Sequence, residues 1–458
     1  MNLRSIILGS CLTVCSSLFF PAPAQTLGNL PPGAYQLGPY PVGQTTAIVQ
    51  DKKRDGGTTA TTWTGLPYGI TPYIGMKHGQ PYGRQWILDI FYPADSASIT
   101  PSTPKANFFN IPAATWEQNG IHVGYDGVPV AQDRTFPLVI FIDGVEDDSS
   151  ENSSQAYQLA SQGMVVAMIR FCGGDFDWPD WSGTVWWGTS EGACKALAYR
   201  GVDATQSIDL MLNKNSDIHD RFFATIDQKK IAVMGWSWGG VAALSMTFGL
   251  DNVRGYPFAI PVDPRVKAVV GEDPSTWALY YSQLENMNIP CLFLGSTQWD
   301  GLMSPRPFNA NRGEEYKVKI INSVHDSFAN DDCNLEGVLL AQGINFPIAN
   351  FDQCSTPGVA LPSICSPIIY GYTTAWLKKV LDCDDTYAAY FDPCQVYPNE
   401  NGLFYFIDKK GGDTPYDLTT MLEDLSSPVP SFVDQYPSGF IFDGTFNFWE
   451  TQPPTCGN

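Results

Sequence analysis

A chain of 458 residues, 44% of them hydrophobic and only 16% charged, can bury a large core, which excludes a disordered tail. Its 26 basic residues against 47 acidic ones give a net charge of −21, and such a surface repels nucleic acid and anionic membranes. The charge bounds the partners and leaves the fold open.

The first 24 residues read as a signal peptide. Arg4 supplies the positive end, Ile6 to Phe20 the apolar stretch, and Ala22-Pro23-Ala24 an A-x-A cleavage site. The stretch is too short and interrupted to span a bilayer, and no later segment carries the roughly 18 apolar residues a span needs. The chain is expected to be secreted, to the periplasm or the medium, with no integral membrane span.

Residues 25 to 45 form an irregular lead-in rich in Gly and Pro. Thr46 to Asp51 and Gln85 to Tyr92 alternate as two antiparallel strands do, joined by a long Gly/Thr-rich connection from Arg54 to Gly83. From about residue 136 short apolar runs alternate with helical stretches, the pattern of a parallel sheet with crossover helices. The runs are Pro137 to Ile142, Met164 to Ile169, Ile231 to Met234, Val266 to Val270, Cys291 to Leu294 and Val318 to Ile321. Helices are expected over Ser154 to Ser161, Asp203 to Asn213 and Val241 to Phe248. A last one, Thr373 to Leu381, has Lys378 and Lys379 near its end, as the helix dipole favours. Residues 396 to 458 hold more Pro, Gly and aromatics. They read as a C-terminal extension packed on a catalytic domain of residues 25 to 395.

Eleven cysteines are present, and Cys11 and Cys15 fall in the leader. In an exported protein the remainder argue for disulfides, with Cys354/Cys365 and Cys383/Cys394 each close enough to close a short loop. The remaining number is odd, and Cys291, inside an apolar run, is the expected free thiol. No Cys or His cluster has the spacing of a zinc site, so neither metal nor cofactor is expected.

Gly235-Trp236-Ser237-Trp238-Gly239 is a G-x-S-x-G motif. Ile231 to Met234 before it is a buried-strand run, and Gly240 to Leu244 after it is small and apolar, as a helix packed on a sheet must be. Strand, tight turn and helix make a nucleophile elbow, which implies the α/β-hydrolase fold. A serine hydroxyl needs a base, and in this fold acid and histidine follow the serine in the chain. Of the four histidines, His78, His122 and His219 precede Ser237, which leaves His325, placed after the run Val318 to Ile321. For the acid, Asp300 follows Cys291 to Leu294 by a short loop and is favoured. Asp273, after Val266 to Val270, is the alternative, although Asp-Pro often merely starts a turn.

A tetrahedral oxyanion needs two N–H donors. The backbone of Trp238 supplies one, and the loop Asp143-Gly144-Val145 the other, with Val145 the best placed. Trp236 and Trp238 flank the serine and Trp277 follows a strand end, so Trp236 and Trp277 are expected to wall a substrate cleft. Asn152-Ser153-Ser154 is a glycosylation sequon.

Four stretches resemble the α/β-hydrolases of the platelet-activating-factor acetylhydrolase and dienelactone-hydrolase-like group, and their secreted cutinase and polyester-hydrolase relatives. They are Arg84 to Pro93 (RQWILDIFYP), Ile226 to Gly240 (IDQKKIAVMGWSWGG), Ile289 to Pro305 (IPCLFLGSTQWDGLMSP) and Lys319 to Asn330 (KIINSVHDSFAN). The resemblance implies a serine esterase with Asp300 as the acid, Val145 and Trp238 as oxyanion donors, and Trp277 in the cleft. The chain departs from that group at Asp143, where His often stands, and at Trp238, where a smaller residue is common. The expected substrate is a small-molecule or polymeric carboxylic ester. An amide or thioester hydrolase, or a non-catalytic binding protein of the same fold, are the alternatives.

Overall fold

The structure, a computed structural model, describes residues 34, 36–54, 83–109, 111–144, 149–170, 191–253, 255–276, 279, 281–284, 286–296, 311–320, 323–329, 331–341, 362–391 and 405–410. The proposed leader and the connection 55–82 lie outside them.

Strands β1 (Val42–Asp51) and β2 (Arg84–Pro93) pair antiparallel over their whole length. The sequence reading started β1 at Thr46. Gly43 extends it, because Tyr92 opposite lays its ring where a side chain on residue 43 would stand, with the nearest ring atom 2.2 Å from an ideal Cβ. Helix α1 (Ala113–Gln118) and the short β3 (Tyr125–Asp126) follow, and then the parallel series begins. It comprises β4 (Phe136–Ile142), α2 (Ser153–Ser161), β5 (Val165–Arg170), α3 (Glu191–Ser216), β6 (Ile226–Trp236) and α4 (Ser237–Phe248). It continues through β7 (Val266–Glu272), α5 (Tyr281–Leu284), β8 (Cys291–Ser296), β9 (Glu315–Ile320), α6 (Asp332–Ala341) and α7 (Pro362–Leu381). Strand β10 (Tyr405–Lys410), from the region read as an extension, pairs antiparallel with β9.

The described strands form one sheet in the order β10-β9-β8-β7-β6-β4-β5-β2-β1-β3. Strands β5, β4, β6, β7, β8 and β9 are parallel, and β2 joins β5 antiparallel. Without the edge strands β10 and β3 this is the strand order of the α/β-hydrolase fold.

Such a sheet must be apolar on both faces. Every residue of β4 is buried. Leu138, Ile140 and Ile142 face one core with α3 and α4, while Val139 and Phe141 face the other with α2 and α7. Burying a side chain such as Ile140 stabilises the fold by roughly 1.5–3 kcal/mol. Two helices outrun the sequence reading. Helix α3 begins at Glu191 rather than Asp203, and α7 begins at Pro362 and passes through Pro367. Proline breaks an isolated helical pattern, but the packing of Ile368, Ile369, Tyr372 and Trp376 on the sheet outweighs that local cost.

Cys194, Cys291, Cys365 and Cys383 are not joined to one another, and Cys354 and Cys394, the partners expected for Cys365 and Cys383, lie outside the described residues. Cys291 is a fully buried free thiol, as expected, and burial pushes its pKa well up. Asn152 of the sequon is fully buried at the start of α2, so it offers no acceptor for a glycan in the folded state. Among the described residues no helix is long and apolar enough to cross a membrane.

Candidate active site

Strand β6 runs directly into α4 at Ser237, whose backbone takes a left-handed φ of 54°. A non-glycine residue there is strained, and the surrounding packing holds it. The two motif glycines make that packing possible. A Cβ on Gly239 would stand 1.9 Å from the Ile142 carbonyl oxygen, and one on Gly235 would stand 2.4 Å from the Gly239 carbonyl carbon. The elbow is therefore pressed against the end of β4, with no room for a methyl group.

Ser237 Oγ lies 2.8 Å from His325 Nε2. His325 opens a short 3-10 turn, His325–Phe328, beyond β9. Its Nδ1 lies 2.8 Å from Asp273 Oδ2. Since an ionised carboxylate only accepts, Nδ1 carries the proton and Nε2 is left to accept from the serine. The three side chains form a continuous chain of hydrogen bonds.

The carboxylate at Nδ1 is thus Asp273. Asp300, favoured by the sequence, lies outside the described residues, and the place it was expected to fill is taken. Asp273 directly follows β7, the immediate neighbour of the serine strand β6, and the Asp-Pro that reads as a mere turn start there aims its carboxylate at Nδ1. Asp273 is fully buried, with φ 41°. Ser296 at the end of β8 fixes it, donating from its hydroxyl to Oδ2 at 2.7 Å and from its backbone N–H to Oδ1 at 3.1 Å. The Asp273 N–H donates in turn to the Leu294 carbonyl at 2.7 Å. Asp326, next to the histidine, has its carboxyl pushed up to about 6, mainly by burial, with Asp273 adding and His325 opposing.

The remaining sequence candidates divide. Trp238 follows Ser237 in the first turn of α4, with its side chain in the core. Trp236 does not wall a cleft. It is 3% exposed, its indole N–H donates to the His325 carbonyl at 3.0 Å, and its ring lies against the imidazole with centroids 5.2 Å apart. It supports the histidine, because a residue ending a buried strand turns its side chain into the core. Val145 and Trp277 lie outside the described residues.

Sequence reasoning missed three groups. Ser296 reaches the site from the end of β8 and Ser275 from the loop after β7, and a lone serine at such a position carries no signal. Arg200, fully buried on α3, donates to the Asp143 carbonyl at the start of the loop after β4. A buried arginine in a helix reads as surface until the packing is known. Among the described residues no three His, Cys, Asp or Glu side chains are grouped to hold a metal ion.

Strand order, elbow and histidine together define an α/β-hydrolase fold with a Ser–His–Asp array. No protein-family model and no curated protein sequence matches the chain. Among solved structures it is similar to a ferulic acid esterase from Streptomyces cinnamoneus, at 16% identity and a TM-score of 0.48, over 75% of this chain and 91% of that one. The assignment of the fold rests on the strand order and not on that likeness.

Proposed function

We propose that the chain is a secreted serine hydrolase that cleaves carboxylic esters through an acyl-enzyme on Ser237. The observation that carries this is the pair of 2.8 Å contacts that link Ser237 to His325 and His325 to Asp273.

In this reading His325 Nε2 takes the serine proton as Oγ attacks the ester carbon, then gives it to the leaving alcohol. Water then attacks the acyl group with the same histidine as base. Asp273 holds Nδ1–H in place and stabilises the imidazolium without taking the proton. The backbone N–H groups of Trp238 and Val145 would receive the oxyanion, and each such donor is worth about a hundredfold to a thousandfold in rate. Export rests on the leader reading, and the substrate is a small or polymeric ester.

The test is hydrolysis of p-nitrophenyl acetate, butyrate and octanoate by the wild type beside Ser237→Ala and His325→Ala. Turnover that both substitutions abolish in folded protein supports the reading. A wild type inert on every ester, or full activity in Ser237→Ala, sinks it.

A further inference from the structure

Ser237 Oγ has a second partner that the acyl-transfer scheme does not use. Ser275 Oγ lies 3.2 Å away, and the Ser275 backbone N–H donates to the Ser237 carbonyl at 3.1 Å, so residue 275 is tied to the nucleophile twice. Ser275 is 3% exposed, which keeps it from reaching substrate.

Counting protons fixes the direction of the hydroxyl contact. Asp273 holds the proton on Nδ1, so Nε2 is an acceptor and the single Ser237 proton points at it. Ser237 has no second proton for Ser275. The Ser275 hydroxyl must therefore donate to Ser237 Oγ.

We propose that Ser275 is a catalytic residue of the deacylation step, stabilising Ser237 Oγ as it leaves the acyl group. This rests on the proposed acyl-enzyme. In deacylation the water oxygen bonds to the acyl carbon and its proton passes to His325 Nε2. The bond from that carbon to Oγ then breaks, the electron pair stays on Oγ, and Nε2 returns the proton to it as the carboxylic acid departs. Negative charge grows on Oγ before that proton arrives, and a donor already aimed at Oγ lowers the barrier. In acylation the same donor has opposing effects, since it eases proton loss from Oγ while drawing off the electron density needed for attack. The two half-reactions depend on Ser275 unequally.

Stopped-flow hydrolysis of p-nitrophenyl butyrate by wild type and Ser275→Ala separates them. The burst reports acylation, and the decay of the acyl-enzyme, followed by intact mass, reports deacylation. The expected result is decay slowed about tenfold, the loss of one hydrogen bond to a developing charge, with the burst rate within about twofold. Steady-state kcat and KM then fall together while kcat/KM holds. If Ser275→Ala does not fold, Ser275→Thr and Ser275→Val serve instead, since they match in shape and only Thr keeps the hydroxyl. Burst and decay slowed equally, or neither slowed, overturns the role of Ser275. A wild type that never becomes acylated at Ser237 overturns the proposed function instead, so the two failures are distinct.

Discussion

Ser237 and Asp273 each directly follow one of two neighbouring parallel strands, β6 and β7, and both hold left-handed backbone angles, with φ of 54° and 41°. Each angle turns a polar side chain off the sheet edge toward the same imidazole. Two non-glycine residues in that region cost on the order of 1–2 kcal/mol each. Strain of this kind persists only where the surroundings allow one conformation. The tight fit of Gly239 against Ile142 is the clearest such surrounding.

Gly239→Ala should accordingly fail in folding rather than in chemistry alone. Its methyl group meets backbone, which cannot swing aside as a flexible side chain would. Overpacking of this sort costs about 1–3 kcal/mol or more, so melting should drop by about 1–3 °C or more, or the protein should not accumulate. A variant with wild-type melting would show that the elbow has room for a methyl group.

Trp236→Phe should separate support of the histidine from substrate contact. The substitution removes the donor to the His325 carbonyl and keeps most of the ring. A lost hydrogen bond of about 1 kcal/mol corresponds to kcat lowered about fivefold, with KM unchanged. A large change in KM at constant kcat would return Trp236 to the cleft wall.

Glu272 makes the fold sensitive to pH. Its fully buried side chain accepts from Gln155 Nε2 at 2.6 Å and Thr373 Oγ1 at 3.3 Å on one oxygen, while the other oxygen has no partner among the described residues. Burial pushes its carboxyl up to about 7, although those donors oppose the shift. The folded state therefore keeps a proton that the unfolded chain has already lost. Its contribution is fully present below the unfolded value near 4.5 and disappears as pH rises through about 7. The full swing is roughly 3 kcal/mol. Glu272→Gln, which cannot ionise, should melt increasingly above wild type between about pH 5 and pH 8. Melting curves that stay parallel across that range would contradict the assignment.

Much of this architecture is written locally. Runs such as Pro137 to Ile142 and Ile231 to Met234 are too apolar to lie anywhere but between two helical layers, and they appear as β4 and β6. Ser237 is legible because its elbow is contiguous in sequence, and His325 because the other histidines precede the serine. Asp273 is not legible in the same way. An Asp-Pro after a strand reads as a turn start, and only the meeting of the end of β7 with His325, far apart in sequence, shows that this carboxylate lies beside the imidazole. Strand β10 was hidden for a similar reason, since an edge strand is defined by its partner β9 more than by its own residues. Trp236 was misread because a tryptophan next to a nucleophile suggests a cleft wall, whereas its direction depends on the pleat.

The assignment of the acid is the most direct test of the account, and one assay decides it. kcat/KM for p-nitrophenyl butyrate should be measured for wild type, Asp273→Asn and Asp300→Asn, each checked for folding by circular dichroism. The expected result is a loss of about a thousandfold to ten-thousandfold in Asp273→Asn, as an asparagine there imposes the wrong imidazole tautomer, with Asp300→Asn within a few-fold of wild type. Collapse of activity in Asp300→Asn while Asp273→Asn stays near wild type would contradict the geometry at His325.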